Sequence, residues 1–242
     1  MDKAQSLPGY RRRILIEPRH GAVAAMLEDD MHCLAVILRH DGVRVTAVEA
    51  DTQRMPWTTC PEAAAKLVET FLGQPLAEVT ARRDKKQNCT HLHDLAVLAA
   101  AHAQDENSLE YRITVSDPVA GRRVLELAGS DGMNLHWEEQ DGLIALPISA
   151  AGQHLMALRD WIASLPEEER EASRLLQWAS LVAHGRTMPL EEQSDAASLP
   201  PNCYTFQPER AIIADRVGER FDFSESTREP LADLAPAVLS RL

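Results

Sequence analysis

Three Asp-Gly dipeptides do most to limit what this chain can fold into. Asp41-Gly42, Asp131-Gly132 and Asp141-Gly142 each separate two short extended runs. Asp-Gly suits the tight turns between antiparallel strands, where the backbone must adopt positive φ. Residues 32–39 are apolar and residues 43–49 alternate apolar with polar, so the first dipeptide predicts a hairpin. A preceding strand is expected within residues 13–27. Four more strands are expected at residues 111–115, 123–127, 133–137 and 143–146. Strands and helices do not alternate one for one, which argues against a parallel sheet.

Between the two strand-rich stretches the signals are helical. Thr59 and Glu62 have capping-box spacing, and Pro61 is tolerated in a first turn. Ala64, Leu67, Val68, Phe71 and Leu72 form one apolar face, which Gly73 and Pro75 terminate. A short helical turn at 76–79, a polar loop at 82–87 and a helix from Asn88 or Thr90 to about Ala103 follow. The polar break at 104–108 predicts a boundary, giving domains 1–107 and 108–242. Two further helices are expected at 151–164 and 166–184, the second opening on an acidic turn. From Met188 onward Pro and Ser predict an irregular tail, partly mobile or wrapped over a neighbour. The fold class expected is α+β: an N-terminal antiparallel sheet backed by helices, then a hairpin-rich and helical C-terminal part.

Charge excludes some functions. The net charge is −12, so nucleic acid is not an expected partner, because phosphate contacts need clustered Lys and Arg. The run Arg11-Arg12-Arg13 reads as a solvated strand edge. No apolar stretch nears the roughly 20 residues that span a bilayer, and no membrane partner is expected. Residues 1–8 lack the apolar segment of a signal peptide, so the expected location is the cytoplasm. In that reducing compartment Cys33, Cys60, Cys89 and Cys203 are core residues, ligands or nucleophiles. Cys33 lies inside an apolar strand and reads as core.

Cys60 and Cys89 fall at predicted helix starts. Unpaired amides and the positive dipole end there favour a thiolate and lower a thiol pKa. His91 lies two residues past Cys89, and the three can converge at a helix mouth. The bland alternative is that each Cys is a small buried hydrophobe. His93 is expected on the helix surface or as a local cap. No C-x-x-C, H-E-x-x-H, Gly-rich phosphate loop or G-x-S-x-G occurs, so spacing supports neither a zinc site nor serine hydrolysis.

Met31-His32-Cys33, Asp41-Gly42, Val48-Glu49-Ala50, Cys60-Pro61 and Asn88-Cys89-Thr90-His91-Leu92 together resemble the DUF2889 family. Gly is usual there in place of Asn88. A more distant likeness is to the NifU/SufE-like iron–sulfur scaffold fold, in which Cys60 and Cys89 take two ligand positions. The earlier scaffold Cys is missing, since residues 25–28 hold no thiol, and Asn88 replaces a His. The resemblance to longer family members implies an enzyme on a small aromatic substrate. A carbon–carbon lyase releasing formaldehyde from lignin-derived aromatics (γ-formaldolase-like) is the expected activity. It assigns His32 and His91 as catalytic, Trp57, Cys60 and Cys89 as substrate-binding, and Cys60, Cys89 and His91 as candidate metal ligands. The expected cofactor is none or zinc, and a homodimer is left open. The alternative is a zinc or iron–sulfur binding scaffold.

Overall fold

A computed structural model of the chain describes residues 7–83, 85–189, 191–217 and 220–242. The opening residues on which the absence of a signal peptide was read are mostly outside this set. The chain forms two compact units. The larger comprises Ile14–Leu109, Pro189–Phe221 and Leu231–Leu242; the smaller comprises Met1–Arg13, Glu110–Met188 and Asp222–Pro230. One division between the units falls between Leu109 and Glu110, and most of the tail belongs to the larger unit.

The larger unit is built on strands β1 (Gly9–Arg19), β2 (Ala22–Asp29), β3 (Cys33–His40) and β4 (Val45–Arg54). Their order is β4-β3-β2-β1, with β2–β3 and β3–β4 antiparallel. One strand was expected where β1 and β2 stand. The chain reverses at His20-Gly21, where Gly21 takes φ +74°, a conformation that costs glycine little. Every residue of β2 is buried, and all but one of β3. Antiparallel strands usually show water one face, so both faces here must be covered.

Helices α1 (Ala63–Phe71), α2 (Leu76–Ala81) and α3 (Thr90–Ala101) follow the sheet in sequence. Helix α3 packs on β2 and β3, and α1 on β4. The opposite side is covered by the end of the chain. Ala24, Met26, Cys33, Ala35 and Ile37 form one buried cluster with Leu231, Leu234 and Val238, the last two from α7 (Leu234–Leu239). Cys33 is therefore core, as expected. Beneath α7, the fully buried Glu28 accepts a hydrogen bond from the Leu231 amide at 2.6 Å.

The smaller unit carries the first half of β1 and strands β5 (Leu109–Ser116), β6 (Arg122–Gly129), β7 (Asn134–Gln140) and β8 (Leu143–Leu146). Strands β5 to β8 pair antiparallel in sequence order. The two later Asp-Gly turns join β6 to β7 and β7 to β8. Helices α4 (Arg159–Ser164) and α5 (Glu167–Thr187) complete it; the remaining short helix, α6 (Pro208–Ala211), is in the tail of the larger unit. The arginine run is not a solvated edge throughout. Arg12 is 1% exposed, with its guanidinium 4.4 Å from the Trp178 ring centroid and 5.5 Å from that of Tyr10. Alternation along β1 turns Arg12 inward, and cation–π contact makes burial tolerable.

Leu234 is fully buried against the sheet. Leu234→Ala should cost about 2–5 kcal/mol, the range for truncating a packed leucine. Urea unfolding measures this; a change under about 0.5 kcal/mol would mean that the chain end does not cover the sheet.

Candidate functional site

The turn from β2 to β3 is the starting point. Asp29 closes the first strand, and its amide donates to the His32 carbonyl at 2.8 Å. Its carboxylate Oδ1 accepts from the amides of Met31 and His32, both at 2.8 Å. A short acidic side chain that bonds backbone two and three residues ahead folds such a turn locally. The same oxygen lies 3.0 Å from His32 Nδ1. A carboxylate only accepts, so Nδ1 carries the proton and Nε2 is the basic nitrogen. Asp29 is 0% and His32 5% exposed.

Arg54, the last residue of β4, holds this turn from the side. Its Nη2 donates to the Asp29 carbonyl at 2.6 Å, to the His32 carbonyl at 3.3 Å and to Glu28 Oε1 at 3.2 Å. One guanidinium thus neutralises a buried carboxylate and fixes both ends of the loop that presents His32.

Helix α3 delivers the second imidazole. His91 lies in its first turn, and its ring stacks on that of His32 with centroids 3.9 Å apart and planes inclined by 25°. Asp29, His32 and His91 are the one group of three potential metal ligands among the described residues, with ligand atoms all within 4.8 Å of one another. The expected pair His32 and His91 is therefore brought together. Asp29 was missed, although Glu28-Asp29-Asp30 is an acidic run set between two apolar strands. Such a run can stay buried only with bonded partners.

The thiols behave differently from expectation. Cys60 opens a 3-10 turn (Cys60–Glu62) and Cys89 is the N-cap of α3, yet both are buried. Burial pushes the Cys60 thiol up to about 11, with Cys203 adding to the rise and a hydrogen bond with Thr205 opposing it. Cys89 is raised further, first by burial and then by the neighbouring Cys60. Cys203 is also raised by burial. Desolvation outweighs the helix-start field, so these are thiols rather than thiolates. They lie near enough to influence one another but outside the Asp29–His32–His91 group. The expected capping box is also absent. Thr59 makes no cap bond to the helix, and its hydroxyl donates instead to Thr205 Oγ1 at 3.2 Å. His93, expected on the helix surface, is 1% exposed and packs against Phe71 with ring centroids 5.1 Å apart.

The tail crosses this region. Tyr204 donates its amide to the Asn88 carbonyl at 2.8 Å, and Thr205 reaches Cys60 Sγ at 3.2 Å. The Thr58 amide donates to Asp215 and the Val217 amide to Pro56, at 3.0 and 2.9 Å. Trp57, between them, is buried and meets the Phe206 ring edge-on at 5.7 Å.

Residues 19–104 match the profile of a family described as a protein of unknown function, DUF2889. This stretch is a DUF2889 domain. It contains Asp29, His32, Arg54, Trp57, Cys60, Cys89 and His91, whereas Cys203, Thr205 and Phe206 come from outside it. No curated protein and no solved structure matches the chain.

A thiol at about 11, two units above its ordinary 9.0, holds roughly 100-fold less thiolate at neutral pH. Cys60 should therefore be alkylated roughly 100-fold more slowly than a free cysteine at pH 7.5. Its contribution to stability is complete below pH 9 and is lost as pH rises toward 11, since only the unfolded thiol ionises early. Mass-spectrometric labelling rates test the first statement; rapid modification of Cys60 in the folded protein would refute it.

Proposed function

We propose that the DUF2889 domain is an acid–base enzyme acting on a small aromatic substrate, with Asp29, His32 and His91 as its proton-handling groups. The observation that carries this reading is the buried Asp29–His32 pair with the His91 ring stacked on it. A carboxylate on Nδ1 fixes the tautomer and stabilises the imidazolium that forms when Nε2 takes a proton. A second imidazole in contact supplies the complementary donor. Two neighbouring histidines with unequal surroundings suit a reaction that removes one proton and returns another.

The reaction proposed is release of formaldehyde from a primary alcohol attached to an aromatic framework. His32 Nε2 takes the hydroxyl proton. The bond between the hydroxymethyl carbon and its neighbour breaks, and formaldehyde leaves. The electron pair stays on the neighbouring carbon, is spread into the conjugated ring, and takes a proton from His91. The sum is one alcohol giving one formaldehyde and one shortened product, with no oxidant or reductant. The resemblance to longer family members suggests the class of alcohol. Four free thiols support a reducing, cytoplasmic setting.

A second reading has its own observation. Two imidazoles and a carboxylate within 4.8 Å are also a donor set for a divalent metal. Against it, Asp29 Oδ1 already serves two amides and an imidazole, which ligation would disturb. The zinc or iron–sulfur scaffold of the NifU type would instead draw on Cys60 and Cys89, thiols that burial keeps protonated.

His32→Ala and His91→Ala should each lower turnover by about 10²–10⁴-fold while the protein stays folded. The assay follows formaldehyde from phenolic diaryl compounds bearing a primary alcohol. His93→Ala should chiefly lower stability, because it empties a packed site. Turnover that survives both site substitutions would rule out the acid–base reading. Activity should also withstand exhaustive chelation; loss on chelation with recovery on adding zinc would transfer the same three residues to the metal reading.

A further inference from the structure

Three thiols of the larger unit meet where the tail crosses the helix starts, and the proposed reaction uses none of them. Cys60 opens the 3-10 turn, Cys89 is the N-cap of α3, and Cys203 lies in the tail. Each is free. Burial raises all three, and beyond it Cys203 adds to the rise of both Cys60 and Cys89, and Cys60 to that of Cys89. The sulfurs therefore share one neighbourhood. They do not form a metal-ligand set: among the described residues, the one group of three with ligand atoms within 4.8 Å is Asp29, His32 and His91. Thiols spaced too widely to hold one ion together can still bond two at a time.

Backbone geometry selects the pair. The Tyr204 amide donates to the Asn88 carbonyl at 2.8 Å. The residue before that donor is Cys203, and the residue after that acceptor is Cys89. Standard peptide dimensions across one such bond place their Cα atoms about 4–6 Å apart. Disulfides span roughly 4.4–6.8 Å between Cα atoms, so the pair is within reach. Gln207 clamps the same junction. Its Nε2 reaches the carbonyls of Lys86 at 2.9 Å and Cys203 at 3.2 Å, and its Oε1 accepts from Gln87 Nε2 at 3.1 Å. Cys60 is engaged differently, with its sulfur 3.2 Å from the Thr205 hydroxyl, and Cys33 lies in the cluster under α7. Cys203 is half-buried, whereas Cys89 is 8% exposed, so a reagent from solvent meets Cys203 first.

We propose that Cys89 and Cys203 form a redox-controlled disulfide that fastens the tail to the start of α3. The oxidant is a small-molecule disulfide such as oxidised glutathione. Cys203 loses its proton to water and attacks one sulfur of the oxidant. One glutathione leaves as thiolate and takes up a proton. Cys89 then loses its proton to water and attacks the Cys203 sulfur, and the second glutathione leaves and is protonated. Two protein thiols and one oxidised glutathione give one protein disulfide and two reduced glutathiones, and two electrons leave the protein. In a reducing compartment the bond is open; it closes as the glutathione poise becomes more oxidising, as disulfides that sense redox state do. The bond closes the loop 89–203, and a cross-link over a long loop strongly restricts the unfolded chain. Cys203 lies outside residues 19–104, so the latch joins the DUF2889 domain to this chain's own tail. The inference goes beyond the acid–base reading and does not depend on it.

Peptide mapping of the full chain, incubated folded with oxidised glutathione and then alkylated under denaturing conditions, tests this. A linked Cys89–Cys203 peptide should be the main product, with Cys33 and Cys60 alkylated, and dithiothreitol should reverse the link. Cys203→Ser should give no linked peptide and leave Cys89 alkylated. Cys89→Ser keeps a good helix cap and should trap Cys203 as the mixed glutathione disulfide. Oxidation should raise the melting temperature of the parent by at least about 4 °C, the effect of a cross-link over a long loop. It should leave that of Cys203→Ser unchanged. A main product that links Cys60 to either partner overturns the proposal. So does the absence of any protein disulfide after prolonged exposure to oxidised glutathione, or a Cys89–Cys203 bond that fails to raise the melting temperature.

Discussion

The site depends on one guanidinium. Arg54 Nη2 reaches the carbonyls of Asp29 and His32 and the carboxylate of Glu28 together. Remove it, and the fully buried Glu28 loses an ion pair just where the chain must turn. Breaking a buried pair by deleting one member typically costs about 3–5 kcal/mol. The larger consequence is geometric. The loop from Asp29 to His32 is held by the bonds Asp29 makes, by Arg54 on its two ends and by the Phe221 amide, which donates to the Asp30 carbonyl at 2.8 Å, and these contacts aim His32. Strand β4, which contributes nothing that touches a substrate in the proposed reaction, thereby sets the aim of the base.

Burial acts on the thiols and the imidazoles in different company. At Cys60 and Cys89 desolvation prevails over the helix-start field, leaving neutral, weakly reactive groups. At His32 the neighbouring group in the same interior is a carboxylate, with Nδ1 3.0 Å from Asp29 Oδ1.

Much of the fold was legible because its signals are local. The Asp-Gly turns, the stop at Gly73 and the alternation in β4 act within a few residues. The helix opened by Cys60 and the core position of Cys33 follow from patterns of the same reach. What escaped depends on distance along the chain. The turn at His20-Gly21 carries a weaker dipeptide signal, so two strands were read as one. The buried state of β2 and β3 on both faces depends on α7, some 200 residues later. His32 and His91 were legible as chemistry-bearing types, but Asp29 looked like solvated charge until its partners were visible. Thr59 shows the converse, a valid capping pattern set aside because Thr205 offered a tertiary partner.

The return of residues 231–242 to the sheet has a consequence for biosynthesis. On the ribosome, β2 and β3 emerge early with α3 soon after, so one face is covered while most of the chain is still unmade. The other face, Ala24, Met26, Ala35 and Ile37, waits for Leu231, Leu234 and Val238. Until then Glu28 also lacks the Leu231 amide. The nascent domain therefore carries an uncovered apolar surface until residues 231–242 are made, the condition under which chains associate wrongly or engage chaperones. The domain closes only when residues 231–242 have left the exit tunnel, so the folding of this sheet waits on a segment made long after its strands.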